Sequence, residues 1–295
     1  MKSDSIVYVK FPKTGLGNLL LVWARARVFA KVNNLHIITS SWWGIRWGAF
    51  IRRENKKRLY FGYFIESSFR KKVSIILCKI FKKKCYEPPI EIPTYQSNAI
   101  YIFNKIIVNP DLFKDLRKDR EFIREELNNI VEPDVLKKLK NYSVPSISVH
   151  IRRGDFKYGN PITPISFFVN SINLIRDTIG YSLPVTVFSD ATTNELSEIL
   201  SIPNVEIACP KPDILDILLM SKSEIVVLSQ SSTFSYWAAF LSNAIIIKPW
   251  EDWQNNLRDE EDNKKYFEGK ISFNENKGIE ELISFLSINK LKKII

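Results

Sequence analysis

The sequence predicts an α/β protein whose second half is a doubly wound parallel sheet, and three observations support this fold class. From residue 146 onward, short apolar strands alternate with helical segments, as repeated βα units do. Polar clusters follow several of those strands. The chain has 295 residues, of which 45% are hydrophobic and 13% aromatic, so it can build a large core or two domains.

The first half opens with a strand at residues 6–11, a glycine turn at 12–18 and a helix at 19–33. The amides at the start of such a helix can face an anion, although a plain βα turn uses glycine for the same backbone reasons. We expect a second strand at 37–39 and a charged, helix-rich segment at 110–141.

Residues 69–84 form a basic segment whose apolar residues have helical spacing. These apolar residues are Phe69, Val73, Ile76, Leu77, Ile80 and Phe81. Such a helix can lie in an anionic membrane surface with its lysines toward the headgroups. It can equally pack its apolar face on the core and leave a solvated lysine side. The pattern alone does not choose between these alternatives.

The second half alternates between strands and helices. The strands are predicted at about 146–151, 184–189, 205–208, 224–228 and 244–248, and the helices at about 164–179, 192–201, 213–221, 234–242 and 278–289. In an open parallel sheet, ligands bind outside the carboxyl ends of the strands. The polar groups at those ends are His150, Arg152 and Arg153 after the first strand, Asp190 after the second, and the serine cluster 229–235 after the fourth.

Arg152 and Arg153 are the leading candidates for ligand contact. Neighbouring residues on a strand point to opposite faces, so Arg152 shares a face with His150 and the two arginines are expected to do different jobs. Guanidinium grips phosphate oxygens bidentately, which suits a diphosphate, and Asp155 can orient one of the pair. An isolated dibasic pair would more simply be a solvated strand end, but the polar clusters at the other strand ends weigh against that alternative.

The charge is unevenly distributed along the chain. Residues 1–145 hold 28 Lys or Arg and 13 Asp or Glu, whereas the remainder holds 15 and 19. This asymmetry suggests that the first half meets an anionic surface, whether nucleic acid, membrane or acidic glycan.

Several classes of protein are disfavoured. There is no signal-peptide core and no run of 18 uncharged apolar residues, so we expect a cytoplasmic protein that does not span a membrane. Cys78, Cys85 and Cys209 lack the spacing of a disulfide framework or a zinc site and are predicted to be free thiols. With only His36 and His150 and no Asp-x-Asp pair, no bound metal is expected.

Four segments resemble the bacterial α-1,2-fucosyltransferase family, glycosyltransferase family 11, whose wider relatives use GDP-fucose. They are Gly15-Leu-Gly-Asn18, His150-Ile-Arg-Arg-Gly-Asp-Phe156 with the following Pro164–Phe168, Phe188-Ser-Asp190, and the stretch from Asp216 to Trp237. The resemblance covers residues 145–245 well and 15–30 moderately. The sequence departs from the family pattern at Ala191, Glu224 and Ser229-Gln230.

The resemblance implies a GT-B architecture with two facing Rossmann-like domains. Residues 1–143 would form the acceptor-side domain, which includes the basic helix near 69–84, and residues 144–295 the donor-binding domain. It further implies inverting, metal-independent transfer of fucose from GDP-fucose to an oligosaccharide or lipid-linked glycan. An α-1,2 linkage in a surface polysaccharide, O-antigen or capsule, is the expected product.

The resemblance also implies residue roles. The predicted catalytic residues are Arg152, Arg153 and Asp155, and the predicted donor-binding residues are Gly15, Gly17, Asn18, His150, Asp190, Asp216, Ser231, Ser232 and Ser235. Arg152 would hold the β-phosphate and neutralise the leaving GDP without a metal. Asp216 would read guanine, because its carboxylate can accept hydrogen bonds from the two donors N1–H and N2–H.

Two other readings stay open. One keeps the fold but uses another nucleotide sugar as donor. The other makes the chain a basic, non-catalytic binder of nucleic acid or another polyanion. No nucleic-acid partner is expected, because the basic residues form no recognised binding module and the phosphate motif lies in the other half. The enzyme is expected in the cytoplasm, with peripheral attachment to the inner face of the plasma membrane as a further expectation.

Overall fold

The computed structural model describes residues 5–44, 59–90, 96–107, 110–154, 161–209 and 211–294. The chain divides into two compact units, residues 1–138 and 139–295, whereas the sequence analysis placed the boundary between 143 and 144. Each unit contains one parallel sheet, of four strands in the first and six in the second among the described residues. The predicted α/β class, with two Rossmann-like sheets, is therefore confirmed.

The first unit is a parallel sheet with strand order β2-β1-β4-β3. Its elements are β1 Ile6–Val9, α1 Leu16–Val32, β2 His36–Thr39, α2 Phe69–Phe81, β3 Lys83–Tyr86, β4 Ala99–Phe103, α3 Arg120–Ile130 and α4 Pro133–Leu139, whose last residue is the first of the second unit. Helix α1 is apolar on nearly every side and is buried accordingly. Trp23, Trp42 and Phe64 form an aromatic cluster in this unit, with Trp42 and Phe64 stacked at 4.1 Å between ring centroids.

Helix α2 packs on the sheet with the side opposite to its predicted apolar face, which differs from the core-facing alternative. Ile75 is buried against Tyr8, Ile100 and Ile102, and Cys78 packs against the same cluster. The residues of the predicted apolar face from Val73 to Phe81 are instead exposed, and the side chain of Phe69 lies outside the described part. The helix ends at Phe81, and the next residues form the edge strand β3 instead of continuing the helix to Lys84 as predicted.

The second unit has strand order β10-β9-β8-β5-β6-β7, with every pair parallel. Its elements are β5 Ile147–Ile151, α5 Ile165–Ile179, β6 Val185–Ser189, α6 Ser197–Leu200, β7 Val205–Ile207, α7 Asp213–Met220, β8 Ile225–Val227, α8 Thr233–Leu241, β9 Ile245–Pro249, α9 Glu260–Lys265, β10 Glu268–Ile271 and α10 Ile279–Ile294. Strand β5 is buried along its whole length, as a central parallel strand should be.

Most predicted elements of the second unit are present within a few residues. The exception is the helix predicted at 192–201, which is a 3₁₀ turn at Asn194–Leu196 followed by the single turn of α6. Strands β3, β4 and β10 and helix α9 were not predicted. The three cysteines are free, as predicted.

Candidate active site

In the second sheet, the order in which successive strands are added reverses beside β5. From β5 the chain builds β6 and β7 on one side, and then returns to place β8, β9 and β10 on the other. This topological switch point is where open α/β sheets bind ligands, outside the carboxyl ends of the strands. The ends of β5 and β8 carry the arginine motif and the serine cluster, so the two predicted phosphate-binding motifs meet there.

Ser229 joins these two strand ends. Its Oγ accepts a hydrogen bond from the backbone N–H of Arg152 at 2.8 Å and donates one to the carbonyl oxygen of His150 at 2.8 Å. The side chain is buried. A single hydroxyl therefore fixes the backbone that presents Arg152, at one of the positions where this sequence departs from the family pattern.

Asp190, at the end of β6, holds both arginines. Its Oδ2 lies 2.5 Å from Nη1 of Arg152, and its Oδ1 accepts from the backbone N–H of Arg153 at 2.8 Å. A Cβ on Gly154 would stand 2.3 Å from the same Oδ2, so glycine is required for the carboxylate to approach. Asp190 thus orients Arg152, whereas Asp155, which was expected to orient one of the arginines, lies outside the described residues.

The two arginines have different surroundings. Arg153 is buried, and its guanidinium donates to the carbonyl oxygens of Arg152 at 3.0 Å and Thr163 at 2.8 Å. Burial lowers the pKa of Arg153, while Glu195 and Asp190 act in the opposite direction. The Arg152 side chain keeps 20% of its surface exposed. Of the pair, Arg152 is the more exposed, whereas Arg153 links the end of β5 to Thr163.

The serine loop after β8 is fixed by residues far along the chain. Ser231 has a left-handed backbone, with φ of 59°, and its N–H donates to the Tyr236 hydroxyl oxygen at 2.8 Å. That hydroxyl donates in turn to Oδ1 of Asp252 at 2.5 Å, and Trp253 Nε1 donates to Ser231 Oγ at 2.6 Å. Burial raises the pKa of both Tyr236 and Asp252, which keeps the phenol protonated as a donor.

Ser232 and Ser235 are less accessible than the sequence suggested. Ser232 is the N-cap residue of α8 and is buried, and the fully buried Ser235 donates to the Ser232 carbonyl at 3.2 Å. Thr163 connects this loop to the arginine loop, because its Oγ1 accepts from the N–H of Gln230 at 2.9 Å. The loop is thus organised through its backbone, and Ser235 is an internal support.

His150, on β5, and Asp216, on α7, are both buried. The His150 ring stacks on Phe234 with 5.4 Å between centroids. Oδ1 of Asp216, on α7, lies 3.1 Å from the ammonium group of Lys211, which sits 5.0 Å from the ring centroid of Phe188 on β6. The carboxylate predicted to read guanine therefore already has a cation beside it.

Gly15, Gly17 and Asn18 belong to the first unit. Gly15 is the N-cap residue of α1 in an extended conformation, Gly17 is buried in the first turn, and Asn18 Nδ2 donates to Thr14 Oγ1 at 3.1 Å. They follow β1, which lies beside β4 at the switch point of the first sheet. The expected strand, glycine loop and helix are present, and their part in donor binding stays a prediction.

Sequence reasoning missed four residues that shape the site: Thr163, Tyr236, Asp252 and Trp253. Only Tyr236 carried a signal, since it falls inside the stretch Asp216–Trp237 that resembles the family. Among the described residues, no group of three or more His, Cys, Asp or Glu could hold a metal ion. Within the same residues, none of the helices is long and apolar enough to cross a membrane.

An arginine motif and a serine loop at the switch point of a parallel sheet are typical of an α/β protein that binds a phosphorylated ligand. A sequence model described as Glycosyl transferase family 11 matches residues 111–268, more than half of the chain. The chain belongs to glycosyltransferase family 11, and the predicted family and enzyme class are confirmed. A search of curated proteins found no match.

Solved structures share the fold. NodZ α-1,6-fucosyltransferase co-crystallised with GDP is 17% identical, with a TM-score of 0.53 over 84% of this chain and 96% of that one. Fucosyltransferase NodZ from Bradyrhizobium is 14% identical, with a TM-score of 0.52 over 82% and 95%. POFUT1 in complex with GDP is 13% identical, with a TM-score of 0.51 over 82% and 98%. The GT-B-like fold expected from the resemblance is confirmed at this level of similarity.

Proposed function

We propose that this enzyme transfers fucose from GDP-fucose to a hydroxyl group of an oligosaccharide acceptor. The observation that carries the proposal is the Arg152–Asp190–Ser229 constellation at the switch point of the second sheet. The solved structures that share the fold support GDP-fucose as the donor, because NodZ and POFUT1 were each crystallised or soaked with GDP and with GDP-fucose.

The proposed chemistry needs a group that stabilises the departing diphosphate. The acceptor hydroxyl loses its proton to a base as its oxygen bonds to the anomeric carbon of fucose, and the bond from that carbon to the β-phosphate oxygen breaks with its electron pair staying on GDP. The developing charge would face Arg152, which is held in place by Asp190 Oδ2 and by Ser229 through its backbone. Electrostatic stabilisation by preorganised groups of this kind is usually the largest single contribution to catalysis in such sites.

The other assignments belong to the same proposal. Asp216 would accept from guanine, His150 and the backbone of the Ser231–Ser232 loop would contact the nucleotide, and Arg153 would keep Arg152 in position. Transfer is proposed to be inverting, independent of a bound metal, and to form an α-1,2 linkage. The acceptor is proposed to be an intermediate of a surface polysaccharide, O-antigen or capsule, handled in the cytoplasm.

A donor screen tests the proposal. GDP-fucose, GDP-mannose and a set of UDP-sugars would be supplied with and without a terminal galactoside, and nucleotide release would be measured in buffer with and without EDTA. We expect turnover with GDP-fucose that the galactoside accelerates and EDTA leaves unchanged. NMR of the product would give its linkage and anomeric configuration.

Each other result supports a competing reading. Preference for another nucleotide sugar supports the same fold with a different donor. Absence of nucleotide-sugar binding together with salt-dependent binding to nucleic acid supports the polyanion binder, because counterion release makes such binding strongly dependent on salt.

A further inference from the structure

Helix α2 presents an apolar surface to solvent. Its outer face consists of Val73, Ile76, Leu77, Ile80 and Phe81, whose exposed fractions run from 41% for Val73 to 74% for Phe81. The spacing of these residues places them on one side of the helix. Contiguous exposed apolar surface of this kind marks an interaction site more often than isolated apolar residues do.

The rest of the helix is fixed to the first sheet. Ile75, 3% exposed, packs with Tyr8, Ile100 and Ile102, and Cys78 packs on the same cluster. The outer face therefore cannot turn inward without giving up this buried cluster. The outer face is therefore exposed because Ile75 and Cys78, on the opposite side of the helix, are the residues that pack on the sheet.

The segment that carries the outer face is basic. No acidic residue occurs between positions 69 and 84, and seven of these residues are Lys or Arg. Lys79 lies with its amine 4.3 Å from the ring centroid of Tyr8, and Lys82 donates to Asn98 Oδ1 at 3.0 Å, so both flank the helix next to the sheet. Lys83 and Lys84 follow on the edge strand β3 and are exposed.

We propose that the outer face of α2 docks the first unit on an anionic lipid bilayer. The apolar side chains would enter the headgroup boundary while the lysines contact lipid phosphates, as in interfacial amphipathic helices. A nucleic acid would use the lysines but leave the apolar face in water. A second copy meeting the same face by two-fold symmetry would bring like-charged lysines together. The bilayer is the partner that satisfies both the apolar and the basic groups.

Vesicle sedimentation of the full chain tests this inference. The vesicles would be phosphatidylcholine alone or phosphatidylcholine with a minority of phosphatidylglycerol, at about 0.1 M salt, where the Debye length is ~10 Å, and at about 1 M, where it is ~3 Å. We expect binding to the anionic vesicles that weakens at high salt. Each lysine near the membrane surface raises the partition coefficient of the protein onto anionic vesicles about fivefold. Lys83→Gln with Lys84→Gln should therefore weaken vesicle binding by up to about 25-fold.

Matched variants separate the electrostatic contribution to vesicle binding from the apolar contribution. Lys138→Gln with Lys140→Gln removes the same charge from exposed positions elsewhere and should leave binding near the wild-type level. Ile80→Ser with Phe81→Ser should reduce binding at both salt concentrations by more than about tenfold, because the apolar contribution is not screened. Circular dichroism and GDP binding, which these exposed positions should not alter, verify that each variant is folded.

Three results would overturn the inference. One is no sedimentation with anionic vesicles at low salt. Another is equal loss in the Lys83/Lys84 variant and in the Lys138/Lys140 control. The third is concentration-dependent dimerisation in ultracentrifugation that Ile80→Ser with Phe81→Ser abolishes while vesicle binding is unchanged, which would assign the outer face to a second copy. None of these depends on whether the donor is GDP-fucose.

Discussion

Replacing Arg152 by alanine should remove most of the transferase activity and leave the fold intact. At an effective dielectric constant of about 20, two unit charges 4 Å apart interact by about 4 kcal/mol, and each ~1.4 kcal/mol is tenfold in rate. Asp190, 2.5 Å from the guanidinium, offsets part of that charge. We therefore expect kcat for GDP-fucose to fall by about 10²- to 10³-fold, comparable to the loss of one oxyanion-hole donor.

The stability cost should be small. The Arg152–Asp190 pair is partly exposed, 20% and 26% for the two side chains, and pairs of this kind contribute about 1 kcal/mol or less. Arg27→Ala is a matched control, because Arg27 lies 2.5 Å from Glu126 with similar exposure. Both variants should unfold in urea near the wild-type midpoint, while only the Arg152 variant loses turnover.

The assay measures GDP release from GDP-fucose alongside GDP affinity by calorimetry. Arg152→Lys should recover little activity, because an ammonium group cannot contact a carboxylate and a phosphate with one planar fork. Turnover within a few fold of wild type in the alanine variant would refute the assignment. So would an equal loss in Arg27→Ala, which would show that the effect comes from stability and not from the charge at the switch point.

Three further predictions follow from buried groups. Asp216→Asn should weaken GDP binding by at least about tenfold in calorimetry, because an amide presents a donor to guanine; unchanged affinity would exclude that role. Tyr236→Phe should lower the free energy of unfolding in urea by about 1–3 kcal/mol and also weaken GDP binding, because it removes the hydroxyl that accepts from Ser231 and donates to Asp252. A stability loss with normal GDP affinity would contradict the link to the site. Glu268→Gln should cost about 3–5 kcal/mol in the same urea titration, because its fully buried carboxylate lies 2.8 Å from the Lys248 ammonium; a near-wild-type midpoint would contradict this.

The order of elements in the second unit could be predicted from sequence because each βα unit has its own local pattern. The apolar strand gives the buried position, and the polar residues just after it mark the functional edge of the sheet. That is why the places of Arg152, Asp190 and the serine loop at strand ends could be predicted before the fold was known. Their proximity follows from parallel strand order alone.

Local pattern failed where pairing between distant segments decides the outcome. Residues 83–86 continue a basic helical segment, but pairing with β4 makes them an edge strand. The periodicity of α2 showed that the helix has two faces, yet only the packing of Ile75 on the sheet determines which face is buried. Likewise, the hydrogen bond from Tyr236 to Asp252 spans 16 positions, and nothing in either neighbourhood marks it.

Asp190 explains why the arginine motif takes the form Arg-Arg-Gly. One carboxylate must hold the side chain of Arg152 and the backbone N–H of Arg153 at once, and it can do so only if the next residue leaves room for Oδ2. A Cβ at Gly154 would stand 2.3 Å from that oxygen, so Gly154→Ala would push the carboxylate off Arg152. The glycine is therefore needed for the position of a charge and not for a left-handed backbone, and the motif functions together with a residue 36 positions further along the chain.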